Sequence, residues 1–293
     1  MIFLLPAFRR FRTSAMQFCM NTLSKFVLCC LVMGFALASL ASGGAAAAVI
    51  TQWNFNVNSP GTNNSPVPST GSGVAQMVGM NNDIHAGDFP NAFNANSASS
   101  DPAVTPAPDL SWRVRGNSTA SSENGWSGTT QLLSGAQFSA STVGFTDITL
   151  SFDIQATDGS PRYAQLQYTL DGTNFSSFGP LLDFNLTNDL WANGLTRDLS
   201  SIPVANNNPN LGFKIVSAFS PVDFTDAGGF HAANTAFQRA DADPTDGPYD
   251  GTAGNYRFDM VTFSGTAVPE PTSLALLAIS AGSIAISRRR QRD

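Results

Sequence analysis

Between residues 49 and 267 the chain alternates short apolar runs with clusters of Gly, Asn, Asp, Ser and Pro, and no stretch carries a helical period. The clearest run is residues 147–156, DITLSFDIQA. Ile148, Leu150, Phe152 and Ile154 fall on one face, and Thr149, Ser151, Asp153 and Gln155 on the other. Successive side chains of a strand point to opposite faces, so a period of two marks a strand with one buried side. Asp153, on the polar side, reads as an outward carboxylate. Residues 163–170 (YAQLQYTL) alternate in the same way. Asp171-Gly172 then tolerates positive φ and residues 174–178 begin a return, which predicts a hairpin. Further strands are expected at 50–55 (ITQWNF), 110–114 (LSWRV), 211–218 (LGFKIVSA) and 256–264 (YRFDMVTFS). Residues 56–108 hold Pro-rich patches and little pattern, and read as long loops with one or two edge strands.

A strand with one apolar face needs a second layer to cover it. The pattern therefore predicts an all-β domain at 49–267, an antiparallel β-sandwich or jelly roll, with 147–156 central. Residues 1–48 form a secretory signal peptide: Arg9, Arg10, Arg12 and Lys25, then an apolar run at 26–41, then small residues around Ala46 and Ala48. The expected architecture is thus flanked by an N-terminal signal helix and a C-terminal transmembrane helix.

Composition narrows the chemistry. All three cysteines (Cys19, Cys29, Cys30) lie in the leader, so the mature chain has no disulfide and no thiolate ligand or nucleophile. Residues 49–267 carry 7 basic and 19 acidic side chains, a net of 7 − 19 = −12. Such a surface does not track a phosphate backbone, and no nucleic-acid partner is expected. His85 and His231 are the only histidines, both in loop-like contexts, and no G-x-S-x-G elbow or H-x-x-x-H spacing accompanies them.

Asp241, Asp243, Asp246 and Asp250 form the densest acidic run, DADPTDGPYDG at 241–251. The spacing approaches a calcium loop, but Thr245 fills the fifth position and the glycine comes one residue late. A solvated acidic turn is the stronger reading and calcium the second; no other cofactor is expected. Trp126, in the turn-like ENGWSG, is the candidate for stacking on a sugar ring, while Trp53 and Trp112 sit in strand runs and read as core.

The last 26 residues, 268–293, differ from all that precede. Val268, Pro269, Glu270 and Pro271 open a rigid, unpaired segment, since each proline fixes φ and lacks an N–H. Residues 272–287 are uncharged and would span about 24 Å as a helix, short of a roughly 30 Å hydrocarbon core. Arg288, Arg289, Arg290 and Arg292 follow as a cytoplasmic stop. This V-P-E-P, apolar, arginine layout closely resembles the PEP-CTERM sorting signal of Gram-negative bacteria. The resemblance implies an exosortase partner, transient membrane residence and delivery to the envelope, cell surface or matrix. A second likeness rests on TGSGVAQMVG, SWRVRGNS, NGWSG, GAQFSASTVGFTDITLSFDIQATDGSPRYAQLQYTLDGTNF and GNYRFDMVTFSGTAVPEP, occurring in that order. The series resembles an all-β extracellular module of secreted bacterial proteins, and implies fold and compartment but no activity. The expected function is an exported, exosortase-sorted structural or adhesive surface protein, non-enzymatic. The alternatives are a carbohydrate-binding jelly roll contacting exopolysaccharide and, behind it, a glycan-active enzyme.

Overall fold

A computed structural model describes residues 47–56, 66–79, 93–95, 99–101, 109–114, 126, 129–157, 159–184, 190–241, 249 and 254–269. Fourteen strands are described: β1 Ala48–Trp53, β2 Gly73–Val78, β3 Phe93–Ala95, β4 Leu110–Val114, β5 Gly135–Ala140, β6 Phe145–Thr157 and β7 Tyr163–Thr169. They continue with β8 Ser176–Ser177, β9 Leu182–Asp183, β10 Trp191–Asp198, β11 Gly212–Ala218, β12 Phe224–Asp226, β13 Gly229–His231 and β14 Asn255–Ala267. A short 3-10 turn, Pro203–Ala205, lies between β10 and β11. Among the described residues the fold is all-β and the strand pairings are antiparallel.

One six-stranded sheet runs β10-β6-β14-β4-β3, with β1 also paired to β14. The other runs β2-β5-β11-β7-β8, with β9 also paired to β7; β12 and β13 form a separate hairpin. The expected alternation on β6 holds, since Ile148, Leu150, Phe152 and Ile154 are all buried. β6 is interior to its sheet, between β10 and β14. Aromatic rings link the two sheets. Phe138 of β5 lies 5.5 Å from Trp53, 5.7 Å from Trp112 and 5.6 Å from Phe258, and Phe213 of β11 lies 5.3 Å from Phe263. Two sheets that each bury one apolar face against such rings need no disulfide to hold a core.

The hairpin expected after 163–170 is present, with Tyr168 paired to Ser176 and Gln167 to Ser177. Gly172 has φ +82°, and the Asp171 side chain organises the turn. Its Oδ1 accepts the N–H groups of Asn174 at 2.8 Å and Thr173 at 2.9 Å. Bonds from Asn174, then from Thr173 and Thr169, hold this carboxyl well below the ordinary range. A depressed carboxyl contributes stability above its unfolded pKa and loses it as the pH falls further. Asp171→Ala is therefore expected to lower the melting temperature at neutral pH, by circular dichroism, and Asp171→Asn to lower it less. Equal melting of all three proteins would remove the turn from the determinants of stability.

Five strands went unanticipated from alternation: β5, β9, β10, β12 and β13. β5 (GAQFSA) and β10 (WANGLTRD) each contain a glycine and small or polar residues, which blur the period of two. β2 and β3, by contrast, fall inside 56–108 at the edges of their sheets, as expected there.

Candidate functional site

The outer face of the β10-β6-β14 sheet is where the expected pattern fails. Asp153, predicted to face water, is buried at 1 % exposure. Its Oδ2 accepts the Ser100 N–H at 2.5 Å and its Oδ1 the Gly194 N–H at 2.6 Å. The stretch 99–101, inside the segment expected to form long loops, therefore packs against this face through Ser100.

Two bulges meet at this level. On β10, Ala192 pairs with Ile154 and Leu195 with Phe152, so Asn193 and Gly194 together oppose Asp153. On β14, Asp259 pairs with Asp153 and Thr262 with Ser151, so Met260 and Val261 oppose Phe152. The inserted Met260 adopts φ +47°, a left-handed conformation costly for any residue with a Cβ. Bulges of this kind re-aim side chains and gather near functional positions. A trace of the bulge is visible in YRFDMVTFS: Phe258 and Phe263 are five apart, so an unbroken period of two cannot bury both, and both are buried.

Asp259 also sits at a seam. β14 pairs with β4 through Tyr256, Arg257 and Phe258, and with β1 from Val261 onward. The end of β1 and the start of β4 therefore converge beside Asp259. There Asn56 bridges two segments, donating from Nδ2 to Asp101 Oδ2 at 2.7 Å and accepting the Leu110 N–H on Oδ1 at 2.6 Å. The outcome is a cluster of Asp101, Asp109 and Asp259, in which one carboxylate oxygen of each lies within 4.8 Å of the other two.

The electrostatics follow from burial. Asp259 is 0 % exposed, and burial pushes its carboxyl up to about 8, with the charges of Asp109 and Asp101 adding to the rise and the Ser99 hydroxyl and Met260 amide opposing it. Burial also raises Asp101, helped by the charges of Asp109 and Asp153, and raises Asp109. Met260 N–H donates to Asp259 Oδ1 at 2.7 Å. Among the described residues nothing hydrogen-bonds Asp259 Oδ2 or Asp109 Oδ1, although both atoms are buried.

The residues singled out in the sequence lie elsewhere. Trp126 is corrected: it is 6 % exposed, its Nε1 donates to the Gly254 carbonyl at 3.3 Å, and its ring meets Tyr256 edge-on at 4.6 Å. An indole buried edge-on against a tyrosine offers no face to a sugar. Of the acidic run, Asp241 is described, and both its oxygens accept from Arg239 at 2.9 Å. Asp243, Asp246, Asp250 and His85 lie outside the described residues. His231 belongs to β13, with Nε2 3.1 Å from Asp226 Oδ1 and its ring stacked on Phe224. Trp53 and Trp112 are core, as expected.

At the C-terminus, β14 runs to Ala267, and Val268 N–H donates to the Gly144 carbonyl at 2.8 Å. Pro269 has no N–H to continue the pairing. Glu270, Pro271, Arg288, Arg289, Arg290 and Arg292 lie outside the described residues, as does the leader before Ala47. No helix among the described residues is long and apolar enough to cross a membrane. The family model described as the PEP-CTERM protein-sorting motif matches residues 267–291, in agreement with the resemblance of the tail. No curated protein matches the chain, and no solved structure does.

Proposed function

We propose, from the sorting motif that begins where β14 ends, that this is an exported structural protein of a Gram-negative cell surface or extracellular matrix. An exosortase is its processing partner. The observation that carries the reading is the PEP-CTERM match at 267–291, placed directly after the last strand. Ala48 pairs with Gly265, so the start and the end of the folded strands lie side by side. The six Leu and Ile residues of 272–287 contribute at most about −0.5 kcal/mol each to insertion, opposed by four serines, a threonine and a glycine. Insertion so marginal suits an intermediate on its way to processing.

A structural role also agrees with the acidic cluster. A glycosidase needs a carboxylate pair that reaches its substrate, whereas Asp153 and Asp259 are shut off by chain. Among the described residues, the exposed large apolar side chains are valines and leucines apart from Phe230, which does not favour a sugar-binding aromatic row.

Intact-mass spectrometry of the protein extracted from the cell surface tests the sorting. The arginine cluster should be missing in a strain with a working exosortase. Alanine at Pro269, Glu270 and Pro271 together should leave the tail attached and the protein in the membrane fraction. A surface-extracted chain still ending at Asp293 would overturn the reading.

A further inference from the structure

We propose that Asp101, Asp109 and Asp259 form a calcium site that fastens the overlying loop to the sheet. The assignment is independent of the sorting motif and of the acidic run at 241–251. Asp259 of β14 is met at one point by Asp109, just before β4, and by Asp101, eight residues earlier (109 − 101) beside the pinned Ser100, each bringing one carboxylate oxygen. An acidic cluster alone would not carry the inference. The second observation is Asp259 itself, which is wholly buried and whose Oδ2 nothing among the described residues hydrogen-bonds. Asp109 Oδ1 is a second buried acceptor in the same condition. The charges bearing on Asp259 from Asp101 and Asp109 have its own sign. A buried carboxylate oxygen without a partner is expensive, and a cation supplies the missing one.

The donor set selects the ion. Three carboxylates and no sulfur or imidazole suit a hard cation bound through oxygen. Magnesium keeps most of its waters and is usually held by one or two carboxylates, whereas calcium takes several protein oxygens in flexible geometry. One oxygen from each of three carboxylates, all within 4.8 Å of one another, suits calcium. Water and main-chain carbonyls are the usual remaining ligands in such sites.

The neighbouring groups act as supports. Asp153 spends both oxygens on the Ser100 and Gly194 amides, and so positions the loop rather than ligating. Asn56 holds Asp101 and the start of β4 in one register. A mature chain without cysteines would in this way gain a cross-link between β14, β4 and the loop.

Calorimetric titration and thermal unfolding of the full-length protein, first stripped with chelator and then given calcium chloride alone, test this. One ion should bind per chain, and the melting temperature should rise as calcium passes its dissociation constant, in the range of about 0.1–1 mM typical of extracellular modules. Asp259→Asn and Asp109→Asn should each weaken binding by at least about tenfold. Asn is nearly isosteric, and the Asp109 variant, at a half-buried position, serves if the Asp259 variant does not fold. Asp241→Asn should leave calcium binding unchanged. Absence of heat and of any melting shift at about 5 mM calcium would overturn the site. So would an unchanged affinity in both cluster variants, a loss of binding in Asp241→Asn alone, or an equal response to magnesium.

Discussion

Replacing Phe138 with alanine is expected to destabilise the protein by about 3–5 kcal/mol, the range for emptying a buried aromatic site. Phe138 is 0 % exposed and touches four rings: Trp53, Trp112 and Phe258 in the opposite sheet, and Phe213 beside it at 5.3 Å. Those partners come from β1, β4, β14 and β11, four separate strands, so no single backbone shift can close the hole. Equilibrium urea unfolding checks the value, the midpoint falling with little change in slope. Phe230→Ala is the contrast, since Phe230 is 68 % exposed and should cost less than about 0.5 kcal/mol. Comparable losses in the two variants would mean that Phe138 does not join the sheets.

The second large effect is a pH dependence in protein kept free of divalent ions. The Asp259 carboxyl titrates at about 8 when folded, against an ordinary value of 3.8. Between those values the folded chain holds a proton that the unfolded chain has released. Stability contributed by this group is thus complete below about pH 4 and is lost as the pH rises toward 8, with a limiting slope of about 1.4 kcal/mol per pH unit. The carboxylates of Asp101 and Asp109 bear on Asp259 from the loop side, and their charges deepen the loss. Melting temperatures in chelator should fall from about pH 5 to pH 8, and Asp259→Asn should flatten that fall. A wild-type protein equally stable across that window would show that Asp259 is solvated in the folded state.

The sequence by itself determined the secondary structure class, the central strand and the tail. Ile148, Leu150, Phe152 and Ile154 announce β6 because a strand with one dry face must alternate. The tail at 268–293 is legible for a similar reason: short-range order of prolines, apolar residues and arginines carries its meaning without any folding. Tertiary structure alone decided the acidic cluster. Asp101, Asp109 and Asp259 are separated by up to 158 positions (259 − 101) and meet only because β1 and β4 abut on β14 while Ser100 is held against Asp153 of β6. Alternation assigns a residue to a face, but whether that face meets water depends on what the rest of the chain lays over it. That is why Asp153, a polar-face residue by period, is buried, and why Trp126, in a turn-like stretch, is packed against Tyr256.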